Sequence, residues 1–272
     1  MSRGDILLLH GAFVGGWVFE RLRGHLSHRG WRTHAPDLPF HGPDHAARDA
    51  NGQPPDPRLA ELGLRDYRRA MKAEIAKLNG KPVLIGHSLG GLLAQQLAAR
   101  ELCRAAILLA PVAPWGVLGG VLPHSWQEMA GGPLMQGLGL MWKGGTFWNK
   151  ALPPDRQLAL DYAMAHLPPS LQRDALNRLV PESGRALFES LMWWLDWQAA
   201  SHVKFHDLKC PLLILVGEDD RVTPPSSCRA IARHYPGRAV YRELPGMGHF
   251  LFGESNEALL FQECADWLEA LP

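Results

Sequence analysis

The stretch Gly86-His87-Ser88-Leu89-Gly90-Gly91 directly follows the apolar run Val83-Leu84-Ile85. A G-x-S-x-G arrangement where a strand gives way to a helix holds its serine on a sharp turn, with the hydroxyl clear of the backbone. Glycines at 86 and 90 suit that turn, because it leaves no room for Cβ atoms. The run Leu92, Leu93, Gln96, Leu97 beyond it supplies the helix. A serine hydroxyl becomes a useful nucleophile only when a histidine takes its proton and an acid orients that histidine.

Thirteen histidines are available, and position selects among them. His249 lies in Pro245-Gly246-Met247-Gly248-His249-Phe250, a glycine-rich loop just past the last expected strand. Another expected strand runs into Gly217-Glu218-Asp219-Asp220-Arg221-Val222-Thr223-Pro224, which offers three acids. All three loops fall at the carboxyl edge of the sheet, where open α/β sheets gather their reactive groups. The order serine, acid, histidine is that of one superfamily of acyl-transfer enzymes. Attack on a carbonyl also leaves a negative oxygen, which needs hydrogen-bond donors. The Leu89 amide, at the start of a helix, is one. The second is expected from the loop His10-Gly11-Ala12-Phe13-Val14-Gly15-Gly16 after the first strand, whose glycines permit close approach.

These groups need a scaffold. Short aliphatic runs at 6–9, 31–35, 83–85, 106–109, 212–216 and 239–244 alternate with helical patterns at 17–29, 64–79, 89–100, 226–235 and 256–271. Such alternation predicts a mostly parallel open sheet flanked by helices. The stripes Tyr67, Met71, Ile75, Leu78 and Leu260, Cys264, Trp267, Leu268, Leu271 give two of the helices one face for the sheet. Residues 113–205 break the pattern, with no evident strand and helical runs near 155–166, 170–180 and 185–198. The chain therefore divides into a core (1–112 and 206–272) and an inserted all-helical cap (113–205). The insert holds seven of the ten tryptophans and five of the eight methionines. Its run Leu191-Met192-Trp193-Trp194-Leu195-Asp196-Trp197 is apolar on more than one face, as expected of a helix that also roofs a pocket.

At 272 residues, 46% apolar and 20% charged, the chain can bury a large core. A net charge of +1, with Lys and Arg spread along the chain, argues against nucleic acid or an anionic membrane as partner. Cysteines 103, 210, 228 and 264 lack metal-site spacing and read as free or buried thiols of a reducing compartment. The amino terminus carries no leader pattern, and no stretch is long and apolar enough to span a membrane. A cytoplasmic protein is the expectation. His41-Gly42-Pro43-Asp44-His45 lacks metal-ligand spacing, and no nucleotide-binding motif occurs, so no metal or cofactor is expected. Oligomeric state is not encoded legibly.

Together, Leu9-His10-Gly11-Ala12, Pro36-Asp37-Leu38-Pro39-Phe40-His41-Gly42, the Ser88 motif, the Gly217–Pro224 stretch and Gly246-Met247-Gly248-His249 resemble the α/β-hydrolase fold superfamily, in particular serine esterases and lipases with a helical cap. The His-Gly-Ala-x-x-x-Gly-Trp form is similar to small esterases related to plant methylesterases and hydroxynitrile lyases. That resemblance implies Ser88 as nucleophile, His249 as base and Asp220 as acid, with Asp219 the alternative. It implies oxyanion donors at Leu89 and Ala12, with Phe13 the fallback. Phe13, His87, Trp115, Trp193, Trp194 and Phe250 are the expected substrate-binding residues, His10 and His87 also steadying their loops. The implied activity is hydrolysis of carboxylic esters, and the Trp- and Met-rich insert predicts a largely apolar acyl or alcohol group. Serine at the elbow disfavours the epoxide hydrolases and haloalkane dehalogenases that share this fold. Lyase, perhydrolase or carbon–carbon hydrolase chemistry, and a slow-turnover small-ligand receptor, are the alternatives on the same residues.

Overall fold

The computed structural model describes residues 3–50, 53–117 and 147–271. Six strands form one sheet: β1 (Asp5–Leu9), β2 (Arg32–His34), β3 (Val83–His87), β4 (Ala105–Leu109), β7 (Leu212–Gly217) and β8 (Ala239–Leu244). Their order is β2-β1-β3-β4-β7-β8, and every pairing is parallel. The unbroken apolar runs of β1, β3, β4 and β7 are explained by burial along their whole length, since helices cover both faces. Edge strands β2 and β8 are partly exposed and carry the polar residues.

Helices α1 (Glu20–His28), α2 (Pro43–Ala50), α3 (Leu64–Ile75) and α4 (Leu89–Ala98) belong to the first half. In α3 the stripe Tyr67, Met71, Ile75 is buried as its spacing predicts. All ten residues of α4 are buried, which accounts for its being apolar except at Gln95 and Gln96, whose side chains are hydrogen-bonded. After β7 come α7 (Pro225–Arg233) and α8 (Glu257–Glu269), the latter burying Leu260, Cys264 and Leu268. No described helix is long and apolar enough to cross a membrane.

The β4–β7 connection carries α5 (Pro169–Asn177) and α6 (Gly184–Leu191), preceded by a helical turn at Arg156–Leu158 that widens into a π segment, Ala159–Ala163. Two features differ from the sequence expectation. First, β5 (Ala151–Leu152) and β6 (Glu182–Ser183) pair antiparallel, so this segment is not purely helical. Strands of two residues are too short to show a period. Second, the helix expected over 185–198 ends at Leu191. Asp196 accepts the amides of Gln198 (3.0 Å) and Ala200 (2.6 Å), and Ala199 takes φ +47°, so the chain turns. The run 193–197 thus leaves Trp194 48%, Leu195 53% and Trp197 89% exposed. The Met- and Trp-containing front of the insert, with Trp126 and Trp142, lies outside the described residues.

Strand order fixes where reactive groups gather. From β1 the chain goes to β2 on one side, then returns to β3 on the other. A crevice therefore opens between the carboxyl ends of β1 and β3. Leu9 pairs with Gly86, which brings the His10–Gly16 loop beside Ser88. The contact is close enough to exclude side chains: a Cβ on Gly90 would lie 1.9 Å from the Leu9 carbonyl oxygen, and one on Gly86 2.3 Å from the Gly90 carbonyl oxygen. Both obstacles are backbone and cannot step aside. Gly90→Ala is expected to destabilise the protein by ~3 kcal/mol or more, read as a lower urea midpoint. A change under about 0.5 kcal/mol would mean that α4 can shift away from β1.

Candidate active site

Ser88 occupies the single residue between β3 and α4 with φ +53° and ψ −118°, a conformation that L-residues rarely adopt. Its backbone is fully engaged. The amide donates to Leu109 O (2.9 Å), and the carbonyl accepts from Gly91 N (2.9 Å) and Val112 N (3.0 Å). The side chain is thereby turned out of the backbone towards His249.

His249 Nε2 lies 3.1 Å from Ser88 Oγ, and His249 Nδ1 lies 2.8 Å from Asp220 Oδ2. A carboxylate at Nδ1 selects the tautomer with its proton there, leaving Nε2 free to accept from the serine. Asp220 is itself held: Oδ1 accepts the amides of Val222 and Thr223, each at 2.8 Å, and Thr223 Oγ1 is 3.0 Å from Oδ2. Asp219 is exposed, its amide donating to Met247 O (2.9 Å), so Asp220 alone of the adjacent acids reaches the imidazole. The Gly217 turn brings the two loops together, since a Cβ there would sit 2.3 Å from the carbonyl oxygens of Met247 and Gly248. Glu254 pins the histidine loop by accepting from Gly248 N (2.7 Å) and Leu251 N (3.0 Å). Burial raises its pKa.

His87 lies behind His249, with ring centroids 5.0 Å apart, and its Nε2 donates to His249 O (2.9 Å). Burial is the main cause that pulls its pKa down to about 3, so the ring is neutral. Its Nδ1 is buried with no hydrogen-bond partner among the described residues. Phe250 is also buried, packed on Trp17 and Phe252. Trp115, Trp193 and Trp194 stack edge to face in one cluster with His202 on the β4–β7 connection.

The first-strand loop reaches the elbow through Gly11, where a Cβ would lie 3.0 Å from Ser88 Cβ. Ala12 N–H makes no hydrogen bond among the described residues, whereas Phe13 N–H points to Glu182 Oε2 at 3.4 Å. That distribution leaves Ala12, with Leu89 at the helix start, as the available pair of donors. Phe13 has φ +63°, and its carbonyl accepts from Val180 N (2.9 Å). His10 ties the loop to its neighbour, accepting from Leu38 N at Nε2 (2.8 Å) and donating from Nδ1 to Gly11 O (2.8 Å).

Glu182 is a residue that sequence reasoning missed. Its side chain is fully buried, with Oε1 accepting from Tyr67 OH (2.6 Å) and Ser183 N (2.7 Å) and Oε2 facing His41 Nε2 (3.1 Å). One carboxylate thus joins the β4–β7 connection, α3, the His41 loop and the loop bearing Ala12. Glu189 repeats the device, accepting from Leu64 N (2.7 Å) at the start of α3. Neither stands in a recognisable motif. Among the described residues no three His, Cys, Asp or Glu side chains converge as metal ligands; His41 is taken by Glu182, and His45 lies against Phe40.

The family model described as "Alpha/beta hydrolase family" matches residues 6–262. Among curated proteins, a pyrethroid hydrolase of Sphingobium wenxiniae is 26% identical over 260 residues, covering 90% of this chain and 81% of that protein. A pimeloyl-[acyl-carrier protein] methyl ester esterase of Chromobacterium violaceum is 29% identical over 271 residues, covering 97% and 94%. Among solved structures, a pyrethroid hydrolase from Sphingobium faniae superposes with a TM-score of 0.68 at 23% identity, over 98% of each chain, a likeness of fold.

The His41–Glu182 pair gives a pH signature. Burial pulls the His41 pKa down, but the Glu182 charge and hydrogen bond, with Pro39 O, outweigh it and leave a net rise above the ordinary 6.5. Burial likewise pushes Glu182 up, but His41, Tyr67 and Ser183 hold it below 4.5. The glutamate's contribution is complete above pH 4.5 and fades as pH falls through its lowered value. The histidine's is complete below pH 6.5 and fades as pH rises through its raised value. Glu182→Gln should therefore cost most between those limits, ~3–5 kcal/mol, and less above them. Urea titrations at about pH 5.5 and about pH 9 test this; an equal loss at both would make the residue's role one of shape.

Proposed function

The chain belongs to the alpha/beta hydrolase family, and on that premise we propose that it hydrolyses carboxylic esters with a largely apolar acyl or alcohol group, through Ser88, His249 and Asp220. The observation that carries this reading is the unbroken line from Ser88 Oγ through both imidazole nitrogens to Asp220, at 3.1 and 2.8 Å. The curated relatives support it, being named a pyrethroid hydrolase and a methyl ester esterase.

In the proposed reaction His249 Nε2 takes the Ser88 proton as Oγ attacks the ester carbonyl. Asp220 stabilises the imidazolium without becoming protonated itself. Negative charge on the former carbonyl oxygen is met by the Ala12 and Leu89 amides, each such donor stabilising the transition state by ~3–4 kcal/mol. His249 then protonates the departing alcohol. Water, deprotonated by the same nitrogen, releases the acid from the acyl-enzyme.

We read residues 113–205 as a cap over this site. The Trp115–Trp193–Trp194 cluster and the exposed Leu195 and Trp197 on that segment support an apolar ligand or partner for its surface.

Ser88→Ala is expected to lower kcat on nitrophenyl esters ~10⁴–10⁶-fold with the melting midpoint retained. Residual activity within tenfold of wild type would remove Ser88 from the mechanism. Fluorophosphonate labelling of wild type without ester turnover would instead move weight to lyase, perhydrolase or receptor roles on the same residues. Trp193→Ala and Trp194→Ala should reduce kcat/KM for long-chain esters more than for acetates; equal losses across the series would confine the cluster to structural work.

A further inference from the structure

Two cysteines 107 positions apart in sequence meet at the edge of the sheet opposite the triad. Cys103 lies in the turn between α4 and β4, and Cys210 just ahead of β7. Ala106 pairs with Leu212 and donates its amide to Pro211 O (3.1 Å), so the cysteines precede adjacent, hydrogen-bonded strands. Neighbouring strands run ~4.8 Å apart, inside the range of Cα separations that disulfides span. The two Sγ atoms are 3.8 Å apart, both thiols being free. Side-chain rotation is the movement needed to close the remaining gap.

The surroundings suit oxidation. Both cysteines line a cavity of about 370 Å³ that opens to solvent, together with Lys81, Arg104 and Lys209. Cys210 is partly exposed and Cys103 buried. The hydrogen bond from Cys103 lowers the Cys210 pKa against the effect of burial, with the charges of Lys81 and Arg238 adding to it. The same contact raises Cys103, which keeps its proton. Cys228 and Cys264 are pushed up by burial alone or chiefly so, and have no thiol neighbour among the described residues.

We propose that Cys103 and Cys210 are a redox-closed staple, converted by a hydroperoxide to a disulfide that ties the start of β4 to the start of β7. The Cys210 thiolate attacks the peroxide, forming an S–O bond and breaking the O–O bond. Alcohol leaves, or water when the oxidant is hydrogen peroxide. Cys103 sulfur then displaces the sulfenic hydroxyl, forming the S–S bond, and its proton departs with that group as water. Two thiols lose two electrons and the hydroperoxide gains them. The bridge closes a loop containing the whole β4–β7 connection, so it restricts the unfolded chain strongly. It lies far from Ser88 in the sheet and should act on stability rather than turnover.

The full chain is treated with hydrogen peroxide, quenched, denatured and alkylated with N-ethylmaleimide. Two of the four thiols should escape alkylation, the mass before alkylation should fall by two hydrogens, and peptide mapping should join Cys103 to Cys210. The oxidised protein should melt at least ~5 °C above the reduced one, a gain reversed by dithiothreitol, while ester turnover stays within twofold. Cys103→Ser should leave Cys210 as a sulfenic acid that dimedone traps, with no melting gain. Four alkylatable thiols after oxidation, a bridge to Cys228 or Cys264, or dimedone adducts equal in wild type and Cys103→Ser would each overturn the proposal. The wild-type mass measurement decides it even if the variant does not fold.

Discussion

The site depends on a single residue held where its backbone is least at ease. A positive φ at a side-chain-bearing residue costs ~1–3 kcal/mol, and Ser88 takes it because β3 must end and α4 begin within one step. Three backbone hydrogen bonds, to Leu109, Gly91 and Val112, hold it there. The surrounding space is as constraining as the bonds. Gly86 and Gly90 let β1, β3 and α4 approach within distances that any Cβ would block. That proximity also sets the His10–Gly16 loop against the serine. The direction of the Ser88 side chain and its closeness to the His10–Gly16 loop are therefore one geometric fact.

Buried carboxylates do for the loops what glycines do for the elbow. Asp220 gathers the amides of Val222 and Thr223, Glu254 those of Gly248 and Leu251, and Glu189 that of Leu64. Glu182 joins four segments that share no sequence neighbourhood. A buried carboxylate is costly unless its lone pairs are filled, so each fixes the positions of its donors. The β4–β7 connection is tied to the His10–Gly16 loop by Glu182, which accepts from Phe13 N, and by Val180 N, which donates to Phe13 O.

Much of this was legible in the residue string because it rests on short-range necessity. Continuous apolar runs announced the four central strands, and three- and four-residue spacing announced α3 and α8. The flanking glycines announced the elbow. The sequence left Asp219 and Asp220 open; only the turn at Gly217 decides which one faces the imidazole. Glu182 and Glu189 stand in no motif, since the bonds that give them meaning reach Tyr67, His41 and Leu64, more than a hundred residues away. The Trp193–Trp197 run suggested a helix by composition, yet the Asx turn at Asp196 prevails over propensity. Charge shows the same limit. The basic residues look dispersed along the chain, but helical spacing on α3 brings Arg65, Arg68, Arg69 and Lys72 into one groove with Arg100.

Burial alone does not decide the charge of a histidine in this core. His10, His41 and His87 are all buried, yet His10 and His87 have pKa values near 3 while that of His41 rises. The difference is Glu182, which gives His41 a negative partner where His10 and His87 have neutral ones. The sorting matters at His249. In the reaction proposed above His249 becomes imidazolium, which a second cation 5.0 Å away would disfavour. His87, kept neutral by desolvation and bonded to the His249 carbonyl, supports the loop without opposing that charge. Among the described residues, His41, the buried imidazole whose pKa is raised, is bound to its own carboxylate, Glu182.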